Sequence, residues 1–124
     1  MLTKEQLQTK AEAMQKYLDE MPGSEPNKII ERLEFLNRMV SQSGQYLADS
    51  KYYQDTVVNG AIMSAIEKAY NDKLSPSTIN KFVTTCAKEQ NYLVNWFDRI
   101  NSSAVHQIDS LRSILSYRKS EMTL

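Results

Sequence analysis

The residues best suited to acid–base chemistry lie close together near the end of the chain: His106, Asp109 and Arg112. A histidine beside a carboxylate can take up and release a proton near neutral pH. On a helix, His106 and Asp109 are three residues apart and therefore neighbours, but the commonest meaning of such a pair is a modest surface interaction. We therefore do not expect this trio to be catalytic.

Other motifs of catalysis or metal binding are missing from the sequence. It contains no Walker-type glycine loop, no nucleophile elbow, no His-Glu-x-x-His and no Cys-x-x-Cys. Its one cysteine, Cys86, excludes an internal disulfide, and with no histidine near it in sequence we expect it to be a small helix-packing residue. The sequence therefore favours a protein with no enzymatic activity, no metal and no cofactor.

One face of the third predicted helix is the most informative feature for function. At 100° per residue, nine polar or aromatic residues share the side opposite the apolar stripe: Lys88, Tyr92, Asn95, Arg99, Ser102, His106, Ser110, Ser113 and Tyr117. Helix faces that only meet water are usually rich in Glu and Lys, whereas Ser and Asn are weaker helix formers. Their presence indicates a contact surface.

Three interpretations of this face stay open at the sequence level. It is a solvated surface, or a protein interface that completes an oligomer or docks another protein, or a site for a small anionic ligand such as a nucleotide. In the ligand interpretation, cations bind phosphate and rings stack on the base, with Tyr92, Arg99 and His106 as the best contacts. Symmetry in a homo-oligomer would repeat these residues and form a pocket between chains.

Charge argues against nucleic acid as a partner. The 124 residues include 15 Lys and Arg and 15 Asp and Glu, so the net charge is zero. Strong sequence-independent binding to DNA or RNA needs a basic field, which this composition does not supply. Lysine does occur beside aromatic residues at 51–53 and 88–96, but acidic residues are interleaved there. Nucleic-acid binding is therefore not expected.

The elements that position these residues are helices. Proline and glycine cluster only at 22–26 and near Pro76, which predicts one helical domain over residues 1–124 with helices at about 4–21, 26–71 and 76–119. Thr3 and Gln6 form a capping-box pattern at the first helix. Ser75 followed by Pro76 is a typical start for the third.

Apolar residues recur at helical spacing in all three predicted helices. The first stripe is Leu7, Ala11, Met14 and Leu18, and the third is Leu93, Phe97, Ile100, Ala104, Ile108, Leu111 and Leu115. The second follows a heptad pattern through Ile29, Leu33, Leu36, Val40, Ser43, Leu47, Ser50, Val57, Ala61, Ala65 and Ala69. Tyr46, Tyr53 and Tyr70 lie near this seam, where each can bury its ring and keep its hydroxyl hydrated.

These lengths predict an all-α fold, an elongated antiparallel hairpin with a short first helix. At 1.5 Å per residue the two long helices would each be about 65 Å and the first about 27 Å. Because the first helix covers only part of the hairpin, we expect a homo-oligomeric bundle. The alternative is a monomeric three-helix bundle with shorter, bent helices. Gly44 and Gly60 would mark close helix contacts or a bend.

No run of about 18 apolar residues predicts a membrane span. Residues 1–10 also lack the apolar core of a signal peptide, so we expect a cytoplasmic protein with no membrane partner.

Parts of the last third of the chain carry a family resemblance. The segments are Leu74-Ser75-Pro76-Ser77, residues 87–96, Arg99-Ile100-Asn101 and residues 106–112. In these segments the chain resembles small helical proteins of phages and integrated elements of gut bacteria. The resemblance implies an accessory protein in the cytoplasm of a host cell, a self-assembling helical module in DNA metabolism or in evasion of host defence. It implies no particular catalytic or binding residue.

Overall fold

Four helices make up the fold in a computed structural model that describes residues 1–123. They are α1 (Lys4–Asp19), α2 (Pro26–Asp72), α3 (Pro76–Cys86) and α4 (Lys88–Thr123). Within the described residues there is no β-strand. The all-α prediction is confirmed.

Helix α1 begins as its capping pattern predicts and ends two residues early. The Thr3 hydroxyl accepts a hydrogen bond from the backbone of Gln6, and the Gln6 side chain accepts one from the backbone of Thr3. Glu20 is extended, with φ −72° and ψ 140°, and its N–H donates to the carbonyl of Tyr17. Pro22 disfavours helical backbone at the residue before it, so the helix does not continue toward 21.

Helix α2 is continuous for 47 residues, about 70 Å at 1.5 Å per residue. Pro26 occupies its first turn, and Lys73 ends it in the left-handed conformation at φ 53°. The two glycines inside α2 make no close contact, since a Cβ added at Gly44 or Gly60 would meet nothing within 4 Å. Neither glycine therefore marks a close contact between helices of the same chain, one of the two roles predicted for them.

The predicted third helix is divided at Ala87 and extends past residue 119. Ala87 has φ −95° and ψ 6° and separates α3 from α4. The hydroxyls of Thr84 and Thr85 donate to carbonyls one turn back, at 2.9 and 2.8 Å. Thr9 and Thr56 make the same bond singly within the continuous α1 and α2, so what distinguishes this place is two such residues in succession. Two adjacent β-branched residues also have lower helix propensity than straight-chain residues. Ala87 is buried, so the bend directs this residue into the core.

Interhelical hydrogen bonds show how the elements are arranged. Arg32 binds Gln107, Ser43 binds Asn101 and Gln54 binds Asn91, so α2 and α4 run in opposite directions. Helix α1 packs against both α2 and α4. The end of α2 beyond α1 packs against α3.

The core lies where the three predicted stripes meet. Every residue of the α1 stripe is buried, and the stripes of α2 and α4 are buried or half-buried throughout. Phe97, Ala104 and Leu36 have no exposed surface. The helical periodicity therefore identified the core side of α1, α2 and α4.

None of the helices in residues 1–123 is long and apolar enough to cross a membrane.

Candidate binding face

All nine residues of the predicted polar face are exposed. They lie on the side of α4 away from its buried stripe, and we call them the α4 face: Lys88, Tyr92, Asn95, Arg99, Ser102, His106, Ser110, Ser113 and Tyr117. The face extends over roughly 44 Å of helix at 1.5 Å per residue. No other helix of the chain covers it, so all nine residues are accessible to a partner or a ligand.

Helix α1 adds residues to the first half of the face. A cleft of about 670 Å³ lies between α1 and α4, with a second cleft of about 480 Å³ beside it. Tyr92 and Asn95 line both clefts, Lys88 lines the first and Arg99 the second. Residues of α1 and α4 outside the predicted face complete these walls: Lys4, Gln8, Gln15, Glu89, Asn91, Leu93 and Trp96.

An aromatic pair, Tyr92 and Trp96, lines the second cleft. The rings of Tyr92 and Trp96 are 5.5 Å apart between centroids and inclined at 59°. The Trp96 Nε1–H donates to Gln15 Oε1 at 3.1 Å, which ties the indole to α1 and fixes its orientation. Tyr92 keeps 64% of its surface exposed. The pair thus presents two mutually inclined rings in the wall of the cleft that Arg99 also lines.

An ion pair closes one side of the first cleft. Lys4 Nζ donates to Glu89 Oε2, joining the start of α1 to the start of α4. The hydrogen bond to Glu89 raises the pKa of Lys4, and the same bond to Lys4 lowers the pKa of Glu89. Both groups therefore remain charged from mildly acidic to mildly alkaline pH. Among the described residues, Lys88 and Arg99 have no ion-pair partner.

The remaining residues of the α4 face do not join these clefts. His106 lies about 10 Å along the helix from Arg99, beyond both clefts. Ser113 and Tyr117 line a separate cleft of about 520 Å³ near the end of α4. Lys88, Tyr92, Asn95 and Arg99 are therefore grouped by the structure, and His106 is not.

The residues of the possible acid–base trio do not contact one another. His106, Asp109 and Arg112 are all exposed, and within residues 1–123 no hydrogen bond or ion pair joins any two of them. No three His, Cys, Asp or Glu residues in the described chain are placed to hold a metal ion.

Two residues differ from their sequence-based interpretation. Cys86 is exposed at the end of α3, so the prediction that it packs between helices is wrong, and Ala87 holds the buried position. Tyr53 behaves as expected, half-buried with its hydroxyl donating to the Leu2 carbonyl at 2.8 Å. Tyr70 does not, because 88% of its surface is exposed.

Comparison with known proteins adds no further assignment. No protein family, curated protein or solved structure matches the chain.

Proposed function

We propose that the protein is a non-enzymatic binding and assembly protein that acts through self-association and protein contacts. The α4 face is its contact surface, and the resemblance to phage and mobile-element proteins suggests an accessory role in such an element. One observation carries the proposal: the α4 face is accessible along its whole length and is poor in charge. Only Lys88 and Arg99 of its nine residues are charged.

Helix α1 supplies a comparison within the same chain. Counted over all its sides, α1 exposes nine residues to solvent, and five of these are charged: Glu5, Lys10, Glu12, Lys16 and Asp19. This is the usual composition of a solvated helix face, because Glu and Lys are strong helix formers that remain hydrated. The different composition of the α4 face is what favours a contact.

The residue types on the α4 face suit recognition. Ser102, Ser110 and Ser113 are small and let a partner approach the helix closely. Tyr92 and Tyr117 offer large exposed rings, 64% and 67% accessible, and tyrosine and arginine are enriched among residues that dominate binding energy. The face therefore combines close approach with aromatic and hydrogen-bonding groups.

Native mass spectrometry with sedimentation equilibrium tests this proposal. The double variant Arg99→Ala/His106→Ala is compared with wild type and with Arg112→Ala, an exposed arginine on another side of the same helix. We expect the double variant to weaken assembly by at least about tenfold, which corresponds to about 1.4 kcal/mol. Arg112→Ala should match wild type. An unchanged subunit number and dissociation constant for the double variant contradict a role of the α4 face in assembly.

A specific observation favours a second candidate function, a sponge or sensor for a small anionic ligand such as a nucleotide. The clefts beside α1 contain two cations without ion-pair partners, Lys88 and Arg99, next to the Tyr92–Trp96 pair. Guanidinium and ammonium groups bind phosphate, and aromatic faces stack on bases. The ligand would lie at this site between chains of the oligomer.

The chain carries a built-in reporter for this second function, because Trp96 is its only tryptophan. Titration with nucleoside mono- and triphosphates should quench Trp96 fluorescence in wild type and not in Arg99→Ala. At a ligand concentration 100 times the dissociation constant, binding should also stabilise the folded protein by about 2.7 kcal/mol. If none of these nucleotides changes either the fluorescence or the melting temperature, the ligand interpretation is wrong.

A further inference from the structure

The second half of α2 has an apolar face that the core does not use. Five large apolar residues there are between 42% and 88% exposed: Tyr52, Ile62, Met63, Ile66 and Tyr70. At 100° per residue, Tyr52, Met63, Ile66 and Tyr70 lie within about 60° of one another and away from the buried Ala61 and Ala65, and Ile62 flanks them on the side of Ala65. We call these five residues the α2 stripe.

The spacing of this face is that of a helix-packing seam. Positions 52, 59 and 66 are separated by seven residues, as are positions 56, 63 and 70, which is the repeat of two helices packed side by side. Four of these six positions are apolar, Tyr52, Met63, Ile66 and Tyr70, and the two polar ones, Thr56 and Asn59, are neighbours in the seam. The geometry therefore suits a helix as partner.

The first half of α2 presents a different composition on the same side. Continuing the stripe toward the N-terminus leads, over residues 34–48, to exposed polar or small residues: Glu34, Ser41, Gln45 and Ala48. The next large apolar residue in this direction is Ile30, near the start of α2 and 42% exposed. Contact with water alone would favour the same composition along the whole side of the helix. The change near residue 50 indicates that only the second half is covered by a partner.

Packing within the chain is thin in this region. Helix α3, the element packed against the end of α2, contains no fully buried residue. Helix α1 does not reach this part, since its beginning is already level with Tyr53, whose hydroxyl binds the Leu2 carbonyl. The end of the molecule is thus a two-helix layer with little core of its own.

We propose that a second copy of the chain covers the α2 stripe, in an antiparallel pair related by a two-fold axis near residue 61. The area fits this occupant. Side chains of these sizes present on the order of 200 Å² each when free, so their exposed fractions amount to roughly 600 Å² per chain. Two copies would bury about 1,200 Å², which reaches the range of specific protein interfaces.

The composition of α2 also determines the direction of the pair. With the axis near residue 61, the end of one α2 at Asp72 lies level with about residue 50 of the other. The overlap then stops where the side of the helix becomes polar. A parallel pair would instead bring Glu34, Ser41 and Gln45 of both copies into the contact, so the antiparallel pair fits the pattern better.

This inference rests on the proposed self-association and assigns it an interface separate from the α4 face. Its test is sedimentation equilibrium of wild type, Ile66→Glu and the matched control Gln45→Glu on the polar half of the same side. We expect Ile66→Glu to raise the dimer dissociation constant by at least about 100-fold, because a carboxylate would be buried without a partner. Gln45→Glu should leave it unchanged. Ile66 is already 59% exposed, and circular dichroism checks that helix content is retained.

Each outcome separates the inference from the proposed function. A wild-type oligomer that Ile66→Glu leaves intact contradicts the α2 stripe as the interface, while self-association itself stands. A wild-type chain that remains monomeric at all concentrations contradicts both. The inference is supported if the Ile66→Glu variant is monomeric at concentrations where wild type and the Gln45→Glu variant are dimers.

Cross-linking tests the antiparallel direction. In a Cys86→Ser background, Ile62→Cys lies close to the proposed axis and should join two chains through a short bis-maleimide linker. Tyr70→Cys should not join to itself, because its symmetry mate would lie about 27 Å away along the helix. Efficient linking of Tyr70→Cys would overturn the antiparallel arrangement.

Discussion

The buried guanidinium of Arg32 gives the sharpest test of what holds α1 in place. Arg32 is 7% exposed and has no carboxylate partner among the described residues. Its Nη2 donates to the Tyr17 carbonyl at 3.2 Å and to Gln107 Oε1 at 2.8 Å, and the guanidinium lies 4.5 Å from the centroid of the Tyr17 ring. Gln107 in turn donates to the Leu18 carbonyl at 3.0 Å. Side chains of α2 and α4 thus bind two carbonyls in the last turn of α1.

The charge of Arg32 is compensated by the end of a helix. Carbonyls in the last turn of α1 lack a full set of intrahelical donors and carry the negative end of the helix dipole. A cation placed there gains from the dipole and supplies a missing donor. The Arg32 Nε atom, however, is buried without a hydrogen-bond partner, which reduces the net stabilisation.

Two substitutions separate the contributions of Arg32. Arg32→Ala removes the charged hydrogen bonds and the buried alkyl stem, so we expect it to lower the free energy of unfolding by about 3–4 kcal/mol. Arg32→Met keeps most of the apolar volume and removes the cost of burying a charge. It should lower the free energy of unfolding by about 1–2 kcal/mol, through the acceptors that it leaves without a donor.

Urea unfolding followed by circular dichroism measures these differences at one fixed protein concentration, because association also contributes to stability. Arg112→Ala, an exposed arginine of α4 with no hydrogen bond or ion pair among the described residues, is the control and should change the free energy of unfolding by less than about 0.5 kcal/mol. The reasoning is refuted if Arg32→Ala behaves like this control. It is also refuted if Arg32→Met is as destabilising as Arg32→Ala.

Three other predictions follow from residues in the helices. Ser50 is 1% exposed with no partner for its hydroxyl, so Ser50→Ala should raise the free energy of unfolding by about 1 kcal/mol. Ser43, seven residues earlier and also buried, makes hydrogen bonds, so Ser43→Ala should lower the free energy of unfolding by about 1 kcal/mol. Equal effects of the two substitutions in urea unfolding would contradict the difference in hydrogen bonding between Ser50 and Ser43. Gly44→Ala and Gly60→Ala should each raise the free energy of unfolding by about 0.5–1 kcal/mol, because both sites have helical backbone and open space for a Cβ. A lower melting temperature for either variant would show that a partner chain packs against that glycine. Glu89→Gln removes the exposed ion pair with Lys4 and should lower the melting temperature slightly. This effect should disappear at high salt, which screens the pair. It should also disappear at acid pH below the lowered pKa of Glu89 and at alkaline pH above the raised pKa of Lys4, because one partner is then uncharged.

Local patterns were sufficient to predict the helices and most of the core. The capping box at Thr3 and the Ser75–Pro76 start depend on neighbouring residues only, and both occur as predicted. The apolar stripes of α1, α2 and α4 depend on the helical repeat, which is fixed by backbone geometry. The division at Ala87 is not marked by proline or glycine, the residues that most often interrupt helices. Its signal lay in the adjacent residues Thr84 and Thr85.

The candidate site was predicted in part. The α4 face was identified by its position opposite the buried stripe of the same helix, and all of it is exposed. The contribution of Lys4, Gln8 and Gln15 was not predicted, because α1 is far from α4 in sequence and no pattern gives their relative orientation. The exposure of Tyr70 was missed for a related reason: both sides of the second half of α2 have apolar residues at helical spacing, and periodicity alone does not tell which side α3 covers.

Local sequence was enough to place α1 and α2 to within a few residues, the starts of α1 and α3, and the apolar stripes of α1, α2 and α4, since these properties depend on residues within a few turns of one another. Tertiary structure decided which side chains meet across helices. The buried position of Arg32 at the end of α1, the clefts beside Tyr92 and the uncovered α2 stripe each depend on the packing of segments distant in sequence. Such packing is set by the fit of whole helix surfaces, and a periodic pattern on one helix does not specify its neighbour.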